Sequence, residues 1–448
     1  MDALARAVID GAAPELLERA PLPREYTAAH LRATDVEMFK GVADKDVRRS
    51  IHVGPVPMPE LAPDEVLVAV MASTINYNTV WSATFEPLPT FTFLRRLGAQ
   101  GGFAARHDQP YHVLGSDGAG VVVRTGTGVR RWKAGDHVVL SGAYVEAEDP
   151  ATHDDSMLSP TQLAWGFETN FGGLAHYAVV RASQVLPKPA VLTWEEAAST
   201  TLCAGTSYRM LVSDRGARMK QGDIVLIWGA TGGLGAYAVQ LVKNGGGIPV
   251  GVVGSDEKVR LAYELGCDLV INRAALGMDG DSAPGPEKTI ELGKRLGRLI
   301  RAEFGGDPHI AFDSIGQATF GVSVFVIRRG GAVVTCGSSS GYNHHFDNRY
   351  LWMNLKRIIG SHVANLQEKW ECNRLFELGR LLPALSEVYT LDEVGTATRL
   401  VQSNRHVGKV GVLCLAPEPG LGVTDPRLRA QIGEHRFSLL RRERAAVA

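Results

Sequence analysis

The apolar run Ile224-Val225-Leu226-Ile227-Trp228 passes directly into Gly229-Ala230-Thr231-Gly232-Gly233-Leu234-Gly235, and few folds accept that order. The run predicts a buried strand, and the glycines after it predict a tight turn into a helix. The amphipathic segment Ala236–Asn244 supplies that helix, and Ile248–Val253 supplies a second strand to complete a strand–helix–strand unit. Glycines at 229, 232, 233 and 235 remove side chains where backbone N–H groups must approach an anion. The helix start adds the positive end of the aligned peptide dipoles. Residues Gly229, Ala230, Thr231, Gly232, Gly233, Leu234 and Gly235 are therefore expected to cradle the pyrophosphate of a dinucleotide.

Enzymes that use NAD usually place a carboxylate at the end of the second strand, where it bonds the ribose hydroxyls. This chain has Gly254 there, followed by Ser255, Asp256, Glu257 and Lys258, with Arg273 after the apolar run Leu269–Ile271. Ser255, Lys258 and Arg273 suit a 2′-phosphate, which favours NADPH as cofactor. Asp256, an acid about twenty residues past the loop, is the competing signal for NADH.

A chain of 448 residues with 45% hydrophobic residues and a formal net charge of −1 can bury a large core in an α/β fold. No basic stripe points to nucleic acid, no apolar stretch is long enough to span a membrane, and Met1-Asp2-Ala3 does not begin a signal sequence. A soluble cytoplasmic protein is expected. Cys203, Cys267, Cys336, Cys372 and Cys414 are scattered and never spaced C-x-x-C, so neither a disulfide framework nor a structural metal site is expected.

Residues 1–48 read as amphipathic helical pieces around the break Ala20-Pro21-Leu22-Pro23. From Ser50 short β-rich runs follow, among them Glu65–Val70, His112–Val123 and His137–Leu140. Strands and helices alternate over about 208–364, with Gly277–Pro286 reading as a surface insertion before a charged helix, Glu291–Phe304. A helix near Glu368–Leu382 and a strand at Lys409–Cys414 come next, and the Arg-rich tail beyond Pro417 is a candidate for packing on a partner subunit. The expected division is 1–207, an N-terminal extension with a β-rich domain; 208–364, the dinucleotide domain; and 365–448, a return to the first domain with the tail.

Gly115-Ser116-Asp117-Gly118-Ala119-Gly120-Val121, Gly135-Asp136-His137-Val138 and Gly222-Asp223-Ile224-Val225 resemble the texture of the medium-chain dehydrogenase/reductase superfamily. That resemblance implies a GroES-like catalytic domain completed by the C-terminus, plus a Rossmann domain. Many members bind catalytic zinc through Cys and His, yet no cysteine precedes Cys203 here, so the zinc-free branch is expected and no metal is assigned.

Three segments are more specific: Asn76-Tyr77-Asn78-Thr79-Val80-Trp81, Trp165 to Ala175, and Asp347-Asn348-Arg349-Tyr350-Leu351-Trp352-Met353 running on to His362. Together with the Ala104–Val113 insertion they closely resemble the crotonyl-CoA carboxylase/reductase family. The resemblance implies that NADPH reduces an enoyl-CoA at Cβ and that the resulting enolate attacks CO₂ at Cα, giving an alkylmalonyl-CoA suited to polyketide assembly. It also implies that Asn78 donates to a CO₂ oxygen, His362 adds a polar contact, Glu168 orients a water and Phe167 shields the pocket. Arg349, Lys356 and Arg357 are the candidates for the CoA phosphates, and a homodimer or homotetramer is implied. Each residue also admits a structural role: Asn78 in a turn, His362 in the core, Glu168 at a helix cap, Phe167 in packing, Lys356 and Arg357 on a solvated face.

The chain departs from the family pattern at Asp313-Ser314-Ile315-Gly316, Leu202-Cys203-Ala204-Gly205-Thr206-Ser207 and His176. These departures bear on the acyl chain more than on the reaction, and they suggest longer enoyl-CoAs. The rival readings are an enoyl-CoA or quinone reductase that protonates the enolate and a non-catalytic NADPH-binding protein.

Overall fold

Strand Glu65–Ile75 is buried along its whole length because neighbours cover both its edges. Gly118–Thr125 pairs along one edge, and Tyr177–Arg181 and then Lys409–Leu413 pair along the other, all antiparallel. His137–Leu140, Val185–Pro187 and Leu385–Thr390 extend this into a seven-stranded sheet. The strand Lys409–Leu413 returns from late in the sequence, so the C-terminal part of the chain completes this sheet. The structure, a computed structural model, describes residues 1–442 except 279 and 281. The insertion read at Gly277–Pro286 and the end of the tail thus lie partly outside the described residues.

Two compact units result: Met1–Leu202 with the chain from Asn365 onward, and Cys203–Ala364. In the first unit, Ala3–Ile9 and Pro14–Arg19 are helices, but Glu25–Arg32 is a strand between His52–Pro57 and Tyr111–Val113. The helical reading of residues 1–48 fails at that point because Tyr26, Ala28, Ala29 and Leu31 are buried by pairing partners distant in sequence. The insertion before Val113 forms a short 3₁₀ helix, Gly102–His107. The Arg106 guanidinium pairs with the buried Glu65 carboxylate and stitches the insertion to the central strand.

Two arginines of the tail, Arg429 and Arg441, are engaged within the chain. Arg429 pairs with Glu196 at 2.6 Å and with Glu434 at 2.5 Å, and Arg441 pairs with Glu195 at 3.0 Å. Phe437 and Leu440 beside them are buried.

The second unit is a six-stranded parallel sheet in the order Leu269–Asn272, Ile248–Val253, Ile224–Trp228, Ile310–Asp313, Ala332–Thr335, Arg357–Gly360. Chain direction across the sheet reverses at Ile224–Trp228, and open sheets of this kind bind ligands outside the strand carboxyl ends at such a switch point. Helix Pro286–Phe304 packs on one face through buried Leu292, Leu296 and Ile300.

Candidate active site

The glycine loop sits at that switch point. Gly229 has φ of +66°, a conformation that costs an L side chain about 1–2 kcal/mol. The N–H groups of Gly229 and Ala230 donate to the Val252 carbonyl at 2.9 and 3.2 Å, tying the loop to the neighbouring strand. Helix Gly233–Asn244 begins three residues earlier than its apolar periodicity indicates, with Gly232 at its N-cap. A Cβ at Gly235 would lie 2.1 Å from the Gly229 carbonyl oxygen, so glycine there lets the helix close on the loop. The N–H groups of the first helical turn remain for an anion.

At the end of the second strand, Gly254 leaves space that the Arg273 side chain approaches, with Nε 3.7 Å from where a Cβ would stand. Asp256, the residue that favours NADH in sequence terms, accepts from Asn272 Nδ2 at 2.7 Å. Ser255 sits at the N-cap of helix Asp256–Leu265 and makes no side-chain cap bond. A cation beside an open glycine, with the nearby acid engaged by an amide, fits a 2′-phosphate better than a ribose hydroxyl.

In the first unit, helix Tyr77–Thr84 carries Asn78 in its first turn. Asn78 Nδ2 donates to Ser116 Oγ at 2.8 Å. Its Oδ1 is buried and accepts no hydrogen bond, an unusual state for a buried polar atom. Phe167 and Glu168 follow Gly166 (φ +68°), whose absent Cβ would fall 2.0 Å from the Gly115 carbonyl oxygen. The segment bearing Phe167 and Glu168 is therefore pressed against the segment bearing Ser116. Phe167 packs on Phe93 with ring centroids 5.9 Å apart. Glu168 accepts from the Ala164 N–H at 2.7 Å. Burial pushes its carboxyl pKa up, and that hydrogen bond opposes the shift.

Asp117, Lys409 and Ser116 are the residues the motif reading missed. The Asp117 carboxylate, fully buried, accepts from Thr74 (2.7 Å), Asn76 (2.8 Å), Thr201 (2.8 Å) and the Leu202 N–H (3.1 Å). Lys409 Nζ pairs with it at 3.0 Å and also bonds Asn76 Oδ1 and the Ile75 carbonyl. One ion pair thus fixes the start of the Asn78 helix relative to the turn that holds Ser116. The available signal was a lysine opening an otherwise apolar strand, Lys409-Val410-Gly411-Val412-Leu413.

The remaining predicted residues lie in the second unit. His362 is exposed on the segment after the edge strand Arg357–Gly360. Arg349 is exposed and forms a two-point ion pair with Asp347 at 2.6 and 3.0 Å. Arg357 is exposed on the edge strand. Lys356 Nζ donates to the carbonyls of Val324 (2.8 Å) and Phe325 (2.9 Å), closing helix Phe320–Val326. Partial burial brings its pKa down to about 8, and the two carbonyl contacts make it a helix cap. Asp313, in the segment that departs from the family pattern, is buried and accepts from Ser323, Thr319, Ile315 and Gly316. It shapes the loop after its strand.

Residues 62–190 match the family described as alcohol dehydrogenase GroES-like domain, and residues 233–377 match the one described as zinc-binding dehydrogenase. The crotonyl-CoA reductase of Streptomyces collinus is 53% identical over 92% of this chain and 92% of its own length. The chain belongs to the crotonyl-CoA carboxylase/reductase family. The crotonyl-CoA carboxylase/reductase of Cereibacter sphaeroides is 38% identical over 83% of this chain and 86% of its own. A solved structure of the 2-octenoyl-CoA carboxylase reductase CinF of a Streptomyces species, in complex with NADP and 2-octenoyl-CoA, matches at 66% identity with a TM-score of 0.96. That match covers 98% of this chain and 99% of CinF. The sequence has no cysteine before Cys203. Among the described residues no three His, Cys, Asp or Glu side chains cluster as a metal set.

Proposed function

We propose that this enzyme uses NADPH to carboxylate an α,β-unsaturated acyl-CoA reductively, and that its preferred substrate is a longer enoyl-CoA of the 2-octenoyl type. The 66% identity to CinF over nearly the whole chain carries this reading. When bound, NADPH supplies a hydride to Cβ of the substrate. Two electrons then sit in the thioester enolate, whose Cα forms a bond to the carbon of CO₂ while one C–O π pair moves onto oxygen. A proton on Cα would end the sequence early, so the chain must offer donors to CO₂ and keep water from the enolate.

Asn78 is proposed as the donor to CO₂. Its amide stands beside Ser116, and Nδ2 carries a second N–H beyond the one it gives to Ser116 Oγ. Phe167, packed on Phe93, supplies apolar bulk, and Glu168 keeps one carboxylate oxygen on Ala164 while the other orients water. His362 is proposed to add a polar contact to the same chemistry. The Gly229–Gly235 loop would hold the pyrophosphate and Ser255, Lys258 and Arg273 the 2′-phosphate; Arg349 and Arg357 are the proposed partners of the CoA phosphates. A homodimer or homotetramer in the cytoplasm is proposed as well. The edge strand Arg357–Gly360 pairs on one side only, and Trp352, Met353, Leu355 and Ile358 around it are exposed, a surface that a second copy would cover.

The test is a competition: equimolar crotonyl-CoA and 2-octenoyl-CoA with NADPH, bicarbonate and carbonic anhydrase, with products resolved by mass. Hexylmalonyl-CoA is expected to exceed ethylmalonyl-CoA. Equal or greater use of crotonyl-CoA would remove the longer-chain assignment. Saturated acyl-CoA alone would make the enzyme a plain enoyl reductase.

A further inference from the structure

We propose that Ser116 is a positioning residue for carboxylation, its hydroxyl holding one end of the Asn78 amide so that the other end faces the reacting carbon; this rests on the donor role proposed for Asn78. The Asn78 side chain makes one hydrogen bond, Nδ2 to Ser116 Oγ at 2.8 Å, and its Oδ1 is buried with none. An amide turned end for end fills the same volume, so the partners at its two ends together decide its orientation. A hydroxyl serves either orientation, because it accepts through oxygen and donates through hydrogen. When Ser116 accepts from Nδ2, the carbonyl end faces away from it without a partner. Once Ser116 donates to Oδ1, both N–H groups of Nδ2 are released, and an acceptor such as a CO₂ oxygen satisfies them.

The position of Ser116 is overdetermined. Gly115 before it has φ of +108°, and a Cβ there would lie 2.5 Å from the Leu174 nitrogen. Asp117 after it is held by Lys409, Thr74, Asn76 and Thr201, and its carbonyl accepts from Ser73 at 2.8 Å. Because Thr74 and Asn76 also lead into the Asn78 helix, the Ser116–Asn78 separation is built into the sheet. Ser116 itself is almost wholly buried, so water cannot replace its hydroxyl without a cavity.

The experiment measures the ratio of carboxylated to saturated product at fixed CO₂ for wild type, Ser116→Ala, Ser116→Thr, Asn78→Ala and the double variant Asn78→Ala/Ser116→Ala. Losing one directing hydrogen bond is expected to lower the ratio about tenfold in Ser116→Ala. The KM for CO₂ should rise while the KM for enoyl-CoA stays near that of wild type. Ser116→Thr, which keeps the hydroxyl, should retain the ratio, and the double variant should be no worse than Asn78→Ala alone. A ratio that collapses in Asn78→Ala but is unchanged in Ser116→Ala overturns the role of Ser116 and leaves that of Asn78 standing. Equal losses in Ser116→Ala and Ser116→Thr, or a double variant far below Asn78→Ala, would also overturn it. An unchanged ratio in Asn78→Ala would remove the proposed donor itself.

Discussion

The two units build their candidate sites from opposite materials. In the Rossmann unit, seven consecutive residues offer backbone, and what matters is the side chain each glycine lacks: a Cβ at Gly235 would meet the Gly229 carbonyl at 2.1 Å. In the β-rich unit, side chains do the work, and residues far apart in sequence are held by one buried pair, Asp117 with Lys409. A backbone site is damaged by adding atoms, and a side-chain site by removing a charge elsewhere.

The largest effect expected from this contrast is at Asp117. Asp117→Asn removes the counter-charge of a lysine that is 2% exposed and should destabilise the protein by about 3–5 kcal/mol. Chemical denaturation would measure it, and an effect below about 1 kcal/mol would show that the pair does not hold the site. Acid is next. Burial holds the pKa of His107 down at about 3 and that of His112 at about 4. As pH falls from about 6.5 toward 4, the unfolded chain binds protons that the folded chain refuses, so stability should fall by about 1.4 kcal/mol per pH unit for each histidine once below its unfolded pKa. His107→Gln should flatten that slope. In the second unit, Gly235→Ala should weaken NADPH binding at least tenfold, about 1.4 kcal/mol, measurable by calorimetry, while the first unit keeps its fold. The smallest effect is at Arg273. Arg273→Ala should lower the NADPH preference over NADH by about tenfold, because the charge-assisted bond it loses is partly exposed. An unchanged preference would move the 2′-phosphate contact to Lys258 or Ser255.

The same contrast explains what could be read in the sequence. Strands Ile224–Trp228 and Ile248–Val253 and the glycine loop are local, so their apolar runs and turn residues locate them directly. Strand Glu25–Arg32 escaped because its burial depends on His52–Pro57 and Tyr111–Val113, which periodicity within residues 1–48 cannot reveal. At Lys356 the charge is visible in sequence, whereas the helix end it caps is not. Asn78, Phe167 and Glu168 are proposed as site residues through family resemblance alone. Asp117 and Lys409, 292 residues apart, offered no local pattern connecting them.

Hydride delivery and carbon–carbon bond formation are proposed to belong to one turnover of this chain. Purified enzyme given 2-octenoyl-CoA, NADPH deuterated at the transferred position, ¹³C-bicarbonate and carbonic anhydrase tests it directly by product mass. Hexylmalonyl-CoA carrying one deuterium at Cβ and one ¹³C in the new carboxylate of the same molecule is expected. Octanoyl-CoA with deuterium and no ¹³C at saturating CO₂ would contradict it.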